Sequence, residues 1–217
     1  MPKVAQNTGF TAAVDAVVVV RGEVSRVTSW VERGTVPAYV IDIDGPWCAV
    51  VPAGPGHAQA PYDDPAQMIA ARPVPMALRP SLAFVPTEKQ AITVVQPRAW
   101  RSLPRWYVVQ QGIGPVRAAL PQASLGDLLS AGHDAHPEAL ERVLAQPDAA
   151  PADLLRGIMA ALGVNAGHLL GLARTAKIDA VLVEPTAKAV RRFDKHVTDE
   201  REERAEIEGR VNTGEKS

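Results

Sequence analysis

Arginine and aromatic residues alternate in one short segment, from Pro97 to Tyr107. Its arginines are Arg98, Arg101 and Arg105, and its aromatic residues are Trp100, Trp106 and Tyr107. Guanidinium groups bind anions, and aromatic rings stack on nucleic-acid bases or fill pockets of a partner protein. We therefore predict that this segment is a binding surface. The alternative is that its arginines pair with acidic helices of the same chain while its tryptophans enter the core.

A second string, Tyr39-Val40-Ile41-Asp42-Ile43-Asp44-Gly45, places two carboxylates at the end of an apolar run. It resembles the first motif of the haloacid dehalogenase family, and this resemblance implies a Mg²⁺-dependent phosphohydrolase with Asp42 as nucleophile and Asp44 as general acid/base. Pro46 stands where that family has Thr, and no downstream acidic motif completes the metal site. The same alternation is typical of a half-solvated strand whose carboxylates face water.

Other catalytic and metal-binding patterns are incomplete. His133, Asp134, His136 and Glu138 lie close together, but zinc needs three or four converging ligands, and a helix start explains the same residues. Cys48 lies in an apolar strand, which predicts a buried, inert thiol. The sequence contains neither a Gly-x-Ser-x-Gly nucleophile elbow nor a phosphate-binding loop. We predict no metal and no cofactor.

Charge is unevenly distributed along a chain whose net charge is only −1. Residues 65–126 carry seven basic side chains against one acidic side chain, a balance of +6, whereas residues 1–64 carry −3 and residues 127–187 carry −4. A basic middle favours an anionic partner. Nucleic-acid binding through residues 97–117 is therefore an alternative hypothesis, although the sequence pI of about 6.5 is lower than most nucleic-acid binders show.

Hydrophobic spacing predicts the elements that must position these residues. The predicted strands are 15–20, 36–43, 47–51, 82–85, 92–95, 106–110, 116–120 and 179–183. The predicted helices are 23–32, 65–71, four short segments near 125–129, 140–144, 154–162 and 167–174, and a terminal helix over 186–208. Strands and helices in separate blocks predict an α+β fold. We expect a mixed, mainly antiparallel sheet, covered by a C-terminal block of short helices and ending in a long, partly projecting helix.

Length and composition are those of a globular chain, with 217 residues of which 47% are hydrophobic and 22% charged. We predict a disordered N-terminus at 1–10, a single α+β domain at 11–185 (sheet-rich to 120, helix-rich from 121), and a C-terminal helix and tail at 186–217. The longest apolar run, Ala16 to Val20, is too short to cross a membrane, and no secretory signal opens the chain. A cytoplasmic protein without a membrane partner is expected. Arginine outnumbers lysine 17 to 6, which favours a bacterial source.

Because none of these catalytic motifs has all the residues that its chemistry needs, we predict a non-catalytic intracellular binding protein whose partner is another protein. The predicted surface combines the 97–107 segment with the loop at 52–65. That loop is rich in Gly, Pro and Ala and is long enough to be functional. A phosphohydrolase using Asp42 and Asp44 is one alternative, and a nucleic-acid-binding protein is the other.

Overall fold

The computed structural model describes residues 16–99, 103–171 and 179–214. Its strands are β1 (Val17–Arg21), β2 (Ala38–Ile43), β3 (Trp47–Pro52), β4 (Ser81–Pro86), β5 (Gln90–Gln96), β6 (Arg105–Gln110), β7 (Gly114–Val116) and β8 (Val181–Val183). They form one sheet in the order β7-β6-β5-β4-β1-β3-β2-β8. Every pairing between these named strands is antiparallel.

Side-chain caps begin some of the helices. They are α1 (Val24–Val31), α2 (Pro65–Ala71), α3 (Leu125–Ala131), α4 (Pro137–Leu144), α5 (Pro151–Ala161) and α6 (Ala187–Gly214). The Asp64 carboxylate accepts hydrogen bonds from the backbone N–H groups of Ala66 and Gln67 at the start of α2. Ser124 and Asp127 form a reciprocal capping box at the start of α3. Such caps satisfy the N–H groups that a helix N-terminus leaves without partners.

The central strand β1 is buried on both faces, which explains its unbroken run of valines. Val17 and Val19 belong to one hydrophobic core, and Val18 and Val20 belong to a second core on the opposite face. Successive side chains of a strand point to opposite faces, so a strand between two cores needs apolar residues at every position. The sheet is therefore the middle of three layers.

Helices cover both faces of this sheet. The helices α3, α4 and α5 lie over one face, where Phe84, Leu155 and Ile158 are fully buried. The helices α1 and α2 lie over the other face, where Trp30 and Ile69 are buried. This second group of helices borders a mostly apolar cavity that is described below.

The structure confirms the α+β fold and the antiparallel sheet, and it adds a parallel bridge between Trp106 and Gln122. Several predicted boundaries differ, including the end of the terminal helix, which lies at Gly214 rather than at 208. The strand predicted at 116–120 lies instead at Gly114–Val116, because the left-handed backbone of Gly112 and Gly114 tightens the turn. The described part of the helix predicted at 167–174 is a 3-10 turn over Gly167–Leu169, followed by left-handed Gly171, and positions 172–174 lie outside the described residues.

The terminal helix α6 docks by its first half and projects by its second. Phe193 and Val197 are half-buried, whereas residues 198–205 are exposed. The Thr186 backbone N–H donates to the Glu32 carbonyl at 2.9 Å and ties the start of α6 to the end of α1. Among the described residues, no helix has the length and apolar character needed to span a bilayer. The predicted disordered segment at 1–10 lies outside the described residues.

Candidate functional site

Tyr107 and Trp106, from the predicted binding segment at 97–107, lie on opposite faces of the sheet. Tyr107 is buried in the core beneath α3–α5, and Trp106 is half-buried against the opposite core. This split follows from the alternation of side chains along β6. Trp100 and Arg101 lie outside the described residues. The aromatic side chains of β6 thus contribute to packing on either side of the sheet.

Arg105 has an intramolecular partner. Its Nη1 lies 2.7 Å from Oδ1 of Asp127, the residue that also closes the capping box of α3. Burial acts to raise the pKa of Asp127, but hydrogen bonds from the Ser124 backbone and hydroxyl, together with the Arg105 charge, outweigh it and lower that pKa. The Arg105 guanidinium is therefore engaged with α3. Arg98, by contrast, is exposed and lines a cleft just after the end of β5.

The two carboxylates of the Asp-x-Asp-Gly string line different cavities. Asp42 faces a cleft with Arg21 and Arg98, whereas the Asp44 carboxylate accepts a hydrogen bond from the Asn165 side-chain amide. A three-residue turn leads from β2 straight into β3, so the string ends in a hairpin. Within the described ranges, no three His, Cys, Asp or Glu residues are grouped so that they could hold a metal ion.

The histidine cluster and the cysteine take up structural positions. His133 Nε2 lies 4.0 Å from the Asp134 carboxylate, and both side chains are exposed. His136 is the residue that precedes the first turn of α4. Cys48 is buried, as predicted, and its Sγ donates to the Gly22 carbonyl at 3.1 Å. Burial, and secondly the Asp42 charge, raise the pKa of the thiol to about 11, so it is neutral at pH 7.

A cavity beneath the first half of α6 combines apolar walls with two guanidinium groups. We call it the α6 cavity, and its volume is about 310 Å³. Small-ligand sites typically begin at about 300 Å³ and are mostly apolar with a few convergent polar groups. Its apolar walls come from the segment before β2, from α2 and the segment after it, and from α6: Val36, Met68, Ile69, Pro73 and Phe193. Arg33 and Arg72 supply its charge.

Arg72 is a half-buried cation that has no carboxylate partner among the described residues. Its Nη2 donates to the Trp30 carbonyl oxygen at 2.6 Å, and its Cζ lies 4.7 Å from the centroid of the Trp30 ring. None of the ion pairs within 4.0 Å in the described part of the chain includes Arg72 or Arg33. Burial, and secondly the Arg33 charge, lower the pKa of Arg72 to about 10. The site thus carries positive charge, and the contacts of Arg72 with the Trp30 carbonyl and ring compensate only part of that charge.

Hydrogen bonds fix the backbone that carries Arg72. The buried Gln96 side chain donates from Nε2 to the Arg72 carbonyl at 2.9 Å and accepts from the Val74 N–H at 2.8 Å. Trp30 Nε1 donates to the Pro73 carbonyl at 3.2 Å. Because these bonds join β5, α1 and the segment after α2, the guanidinium is held on a rigid support. Preorganised groups of this kind lose less entropy when a ligand binds.

Gly34 leaves the space that the guanidinium occupies. A Cβ atom at this position would lie 2.3 Å from Arg72 Nη1 and 2.8 Å from Cζ, closer than any van der Waals contact allows. The close approach of the Gly34 backbone to the charged group therefore depends on the missing side chain. Gly34 lines the α6 cavity together with the guanidinium.

A second, wider cavity opens beside the first. This outer cavity has a volume of about 590 Å³, and Arg33 and Phe193 line both spaces. Its remaining charged or titratable residues are Lys188, Arg192 and His196, all on α6. An anion that approaches the α6 cavity from this side meets positive charge first, which favours its entry.

The loop predicted to take part in binding does reach this site. Tyr62 lines the α6 cavity and packs edge-to-face on Phe193, with ring centroids 5.5 Å apart and an interplanar angle of 82°. Arg201 donates to the Ala60 carbonyl at 3.1 Å. The loop at 52–65 and α6 therefore close the cavity together.

Sequence reasoning missed the residues at the centre of this site. Arg33 and Trp30 belong to no motif in the sequence, and Arg72 is one of seven basic residues in the 65–126 block. The signals that pointed towards the site were the charge of that block and the long loop that precedes α2. What brings these residues together is the contact between the end of α1 and the segment after α2 on one face of the sheet.

Comparison with known proteins gives no relative for this chain. No protein-family model matches it, no curated protein matches it, and no solved structure matches it. Function is therefore inferred from the chemistry of the cavities themselves.

Proposed function

We propose that this chain is a non-catalytic binding protein whose ligand is a small organic anion with an apolar body, held in the α6 cavity. The observation that carries the proposal is Arg72, a half-buried guanidinium without a carboxylate partner among the described residues, at the wall of a mostly apolar cavity. Removing a charge from water is costly unless an opposite charge accompanies it. A bound anion supplies that charge.

The arrangement of the walls defines the ligand class. A carboxylate placed between Arg33 and Arg72 accepts charge-assisted hydrogen bonds. The planar guanidinium group can donate two parallel hydrogen bonds to the two oxygens of one carboxylate. The apolar remainder of the ligand then lies against Met68, Ile69 and Phe193. A low local dielectric strengthens the attraction between the carboxylate and the guanidinium groups. A monocarboxylate with a hydrocarbon chain or ring has both features.

A small ligand fits this site better than the protein partner that the sequence predicted. The cavity lies under α6, has the volume of a small-molecule site, and is lined by Tyr62 and Phe193, which pack on each other. In the predicted binding segment at 97–107, Arg105 pairs with Asp127 and Tyr107 is buried. These contacts do not favour a surface for a protein or nucleic acid at this segment. Binding without catalysis accords with the separation of Asp42 from Asp44. We further propose a cytoplasmic location and a bacterial source, on sequence grounds alone.

Nuclear magnetic resonance with octanoate as the probe tests the location of the site. We expect octanoate to shift the signals of the Trp30 indole N–H and the Gly34 amide in a saturable manner, because both groups lie beside the Arg72 guanidinium. The Gly126 amide, at the start of α3 and outside the α6 cavity, serves as the reference signal that stays in place. Saturable shifts confined to other surfaces, or no shifts at millimolar octanoate, would contradict the proposal.

A further inference from the structure

Four arginines from separate parts of the chain converge on one cleft. Arg21 ends β1, Arg26 lies on α1, Arg79 precedes β4 and Arg98 follows β5. The cleft has a volume of about 480 Å³, and we call it the arginine cleft. It shares no lining residue with the α6 cavity.

The positive charge of this cleft exceeds the negative charge on its walls. Glu23 and Asp42 are its acidic lining residues, against the four guanidinium groups. In the described ranges, the ion pairs within 4.0 Å do not involve Arg21, Arg26 or Arg98. Like charges gathered around one space repel each other, and a bound anion removes that repulsion.

Arg79 gives the cleft a fixed donor group. Its Nε donates to the Val74 carbonyl at 2.7 Å, and its Nη1 lies 3.4 Å from the Ala99 carbonyl oxygen. Arg79 is half-buried, and these contacts link it to the segment that carries Arg98. The exposed Arg98 can therefore close on a ligand beside a guanidinium that is already positioned.

We propose that the arginine cleft binds a phosphate-bearing small molecule, with Arg79 as the fixed donor and Arg21, Arg26 and Arg98 around the phosphate oxygens. Phosphate carries more charge than a carboxylate and offers several acceptor oxygens, so it engages more than one guanidinium at a time. The volume of the cleft accommodates a diphosphate-sized group. This site goes beyond the proposed function, since the chain then has one cavity for a carboxylate and a second for a phosphoanion.

Calorimetric titration of the full chain with inorganic pyrophosphate tests this site. We expect saturable binding of one pyrophosphate, which weakens as salt is raised. Arg98→Ala is expected to reduce the affinity roughly tenfold or more, because charge-assisted hydrogen bonds are lost. Arg26→Ala provides an independent second variant with the same expected loss. Arg117→Ala is the matched control, since Arg117 is exposed in the same basic block and does not line the cleft.

Three outcomes overturn the proposal. One is the absence of saturable pyrophosphate binding at low salt. The second is an equal loss of affinity in Arg117→Ala and Arg98→Ala, which indicates general charge attraction. The third is Arg98-dependent binding of a short DNA duplex without pyrophosphate binding, which assigns the cleft to nucleic acid. The arginine cleft and the α6 cavity share no lining residue, so failure of pyrophosphate binding is separate from failure of octanoate binding.

Discussion

Replacing Arg72 with methionine is expected to weaken octanoate binding by roughly 10- to 100-fold, since hydrogen bonds to a charged group contribute about 1.5–3 kcal/mol and each 1.4 kcal/mol is a factor of ten. Methionine keeps an unbranched apolar stem against Trp30 and removes the charge. The affinity of wild type and variant is measured by isothermal titration calorimetry. The octanoate chain still contacts the apolar walls in the variant, so the loss reports the guanidinium alone.

The variant should remain folded. Loss of the hydrogen bond to the Trp30 carbonyl costs about 1 kcal/mol, and removal of a partly desolvated charge offsets some of it. Arg142→Met is the control, because Arg142 is exposed on α4 and does not line the α6 cavity. Octanoate affinity that is unchanged in Arg72→Met, or lowered equally in Arg142→Met, would show that Arg72 is not the anion-binding group.

Replacing Gly34 with alanine is expected to weaken octanoate binding about tenfold without unfolding the chain. The displaced Arg72 guanidinium then loses one charge-assisted hydrogen bond to the octanoate carboxylate. The added Cβ would stand 2.3 Å from Arg72 Nη1, so the guanidinium must move away from its present position. Moving the guanidinium gives up its hydrogen bond to the Trp30 carbonyl, which costs about 1 kcal/mol of stability. Calorimetry gives the affinity, and urea unfolding gives the stability.

Gly54→Ala is the matched control for this substitution. A Cβ at Gly54 would have Pro37 Cγ at 3.8 Å as its nearest contact, which is an ordinary van der Waals distance. We expect octanoate affinity and stability to stay at wild-type values in this variant. Equal octanoate affinity in Gly34→Ala and wild type would mean that the position of the Arg72 guanidinium does not determine binding.

Much of the fold was predictable because strong local patterns coincide with the tertiary structure. The valines of β1 and the Asp-Gly-Pro turn between β2 and β3 locate these strands almost to the residue. Pro65 at the first turn of α2 likewise sets the start of that helix. The boundaries that moved, at β7 and after α5, depend on glycines with left-handed backbone, a conformation that periodicity does not reveal.

The site was less predictable because its residues are distant in the sequence. Trp30, Gly34 and Arg72 meet only when α1 and the segment after α2 lie side by side on the sheet. Phe193, on the C-terminal helix α6, also lines the α6 cavity. Segmental charge pointed to the basic block at 65–126, which does contain Arg72, Arg79 and Arg98. It could not show that these arginines face two separate cavities.

Comparison of octanoate with 1-octanol by isothermal titration calorimetry tests the proposed function most directly. The two molecules share the same hydrocarbon chain length, and they differ in the charged group that Arg72 and Arg33 are proposed to bind. We predict saturable binding of one octanoate per chain and at least roughly tenfold weaker binding of 1-octanol, since the alcohol lacks charge-assisted hydrogen bonds. Equal affinity for the two, or no binding of octanoate, would contradict the assignment of the α6 cavity to an organic anion.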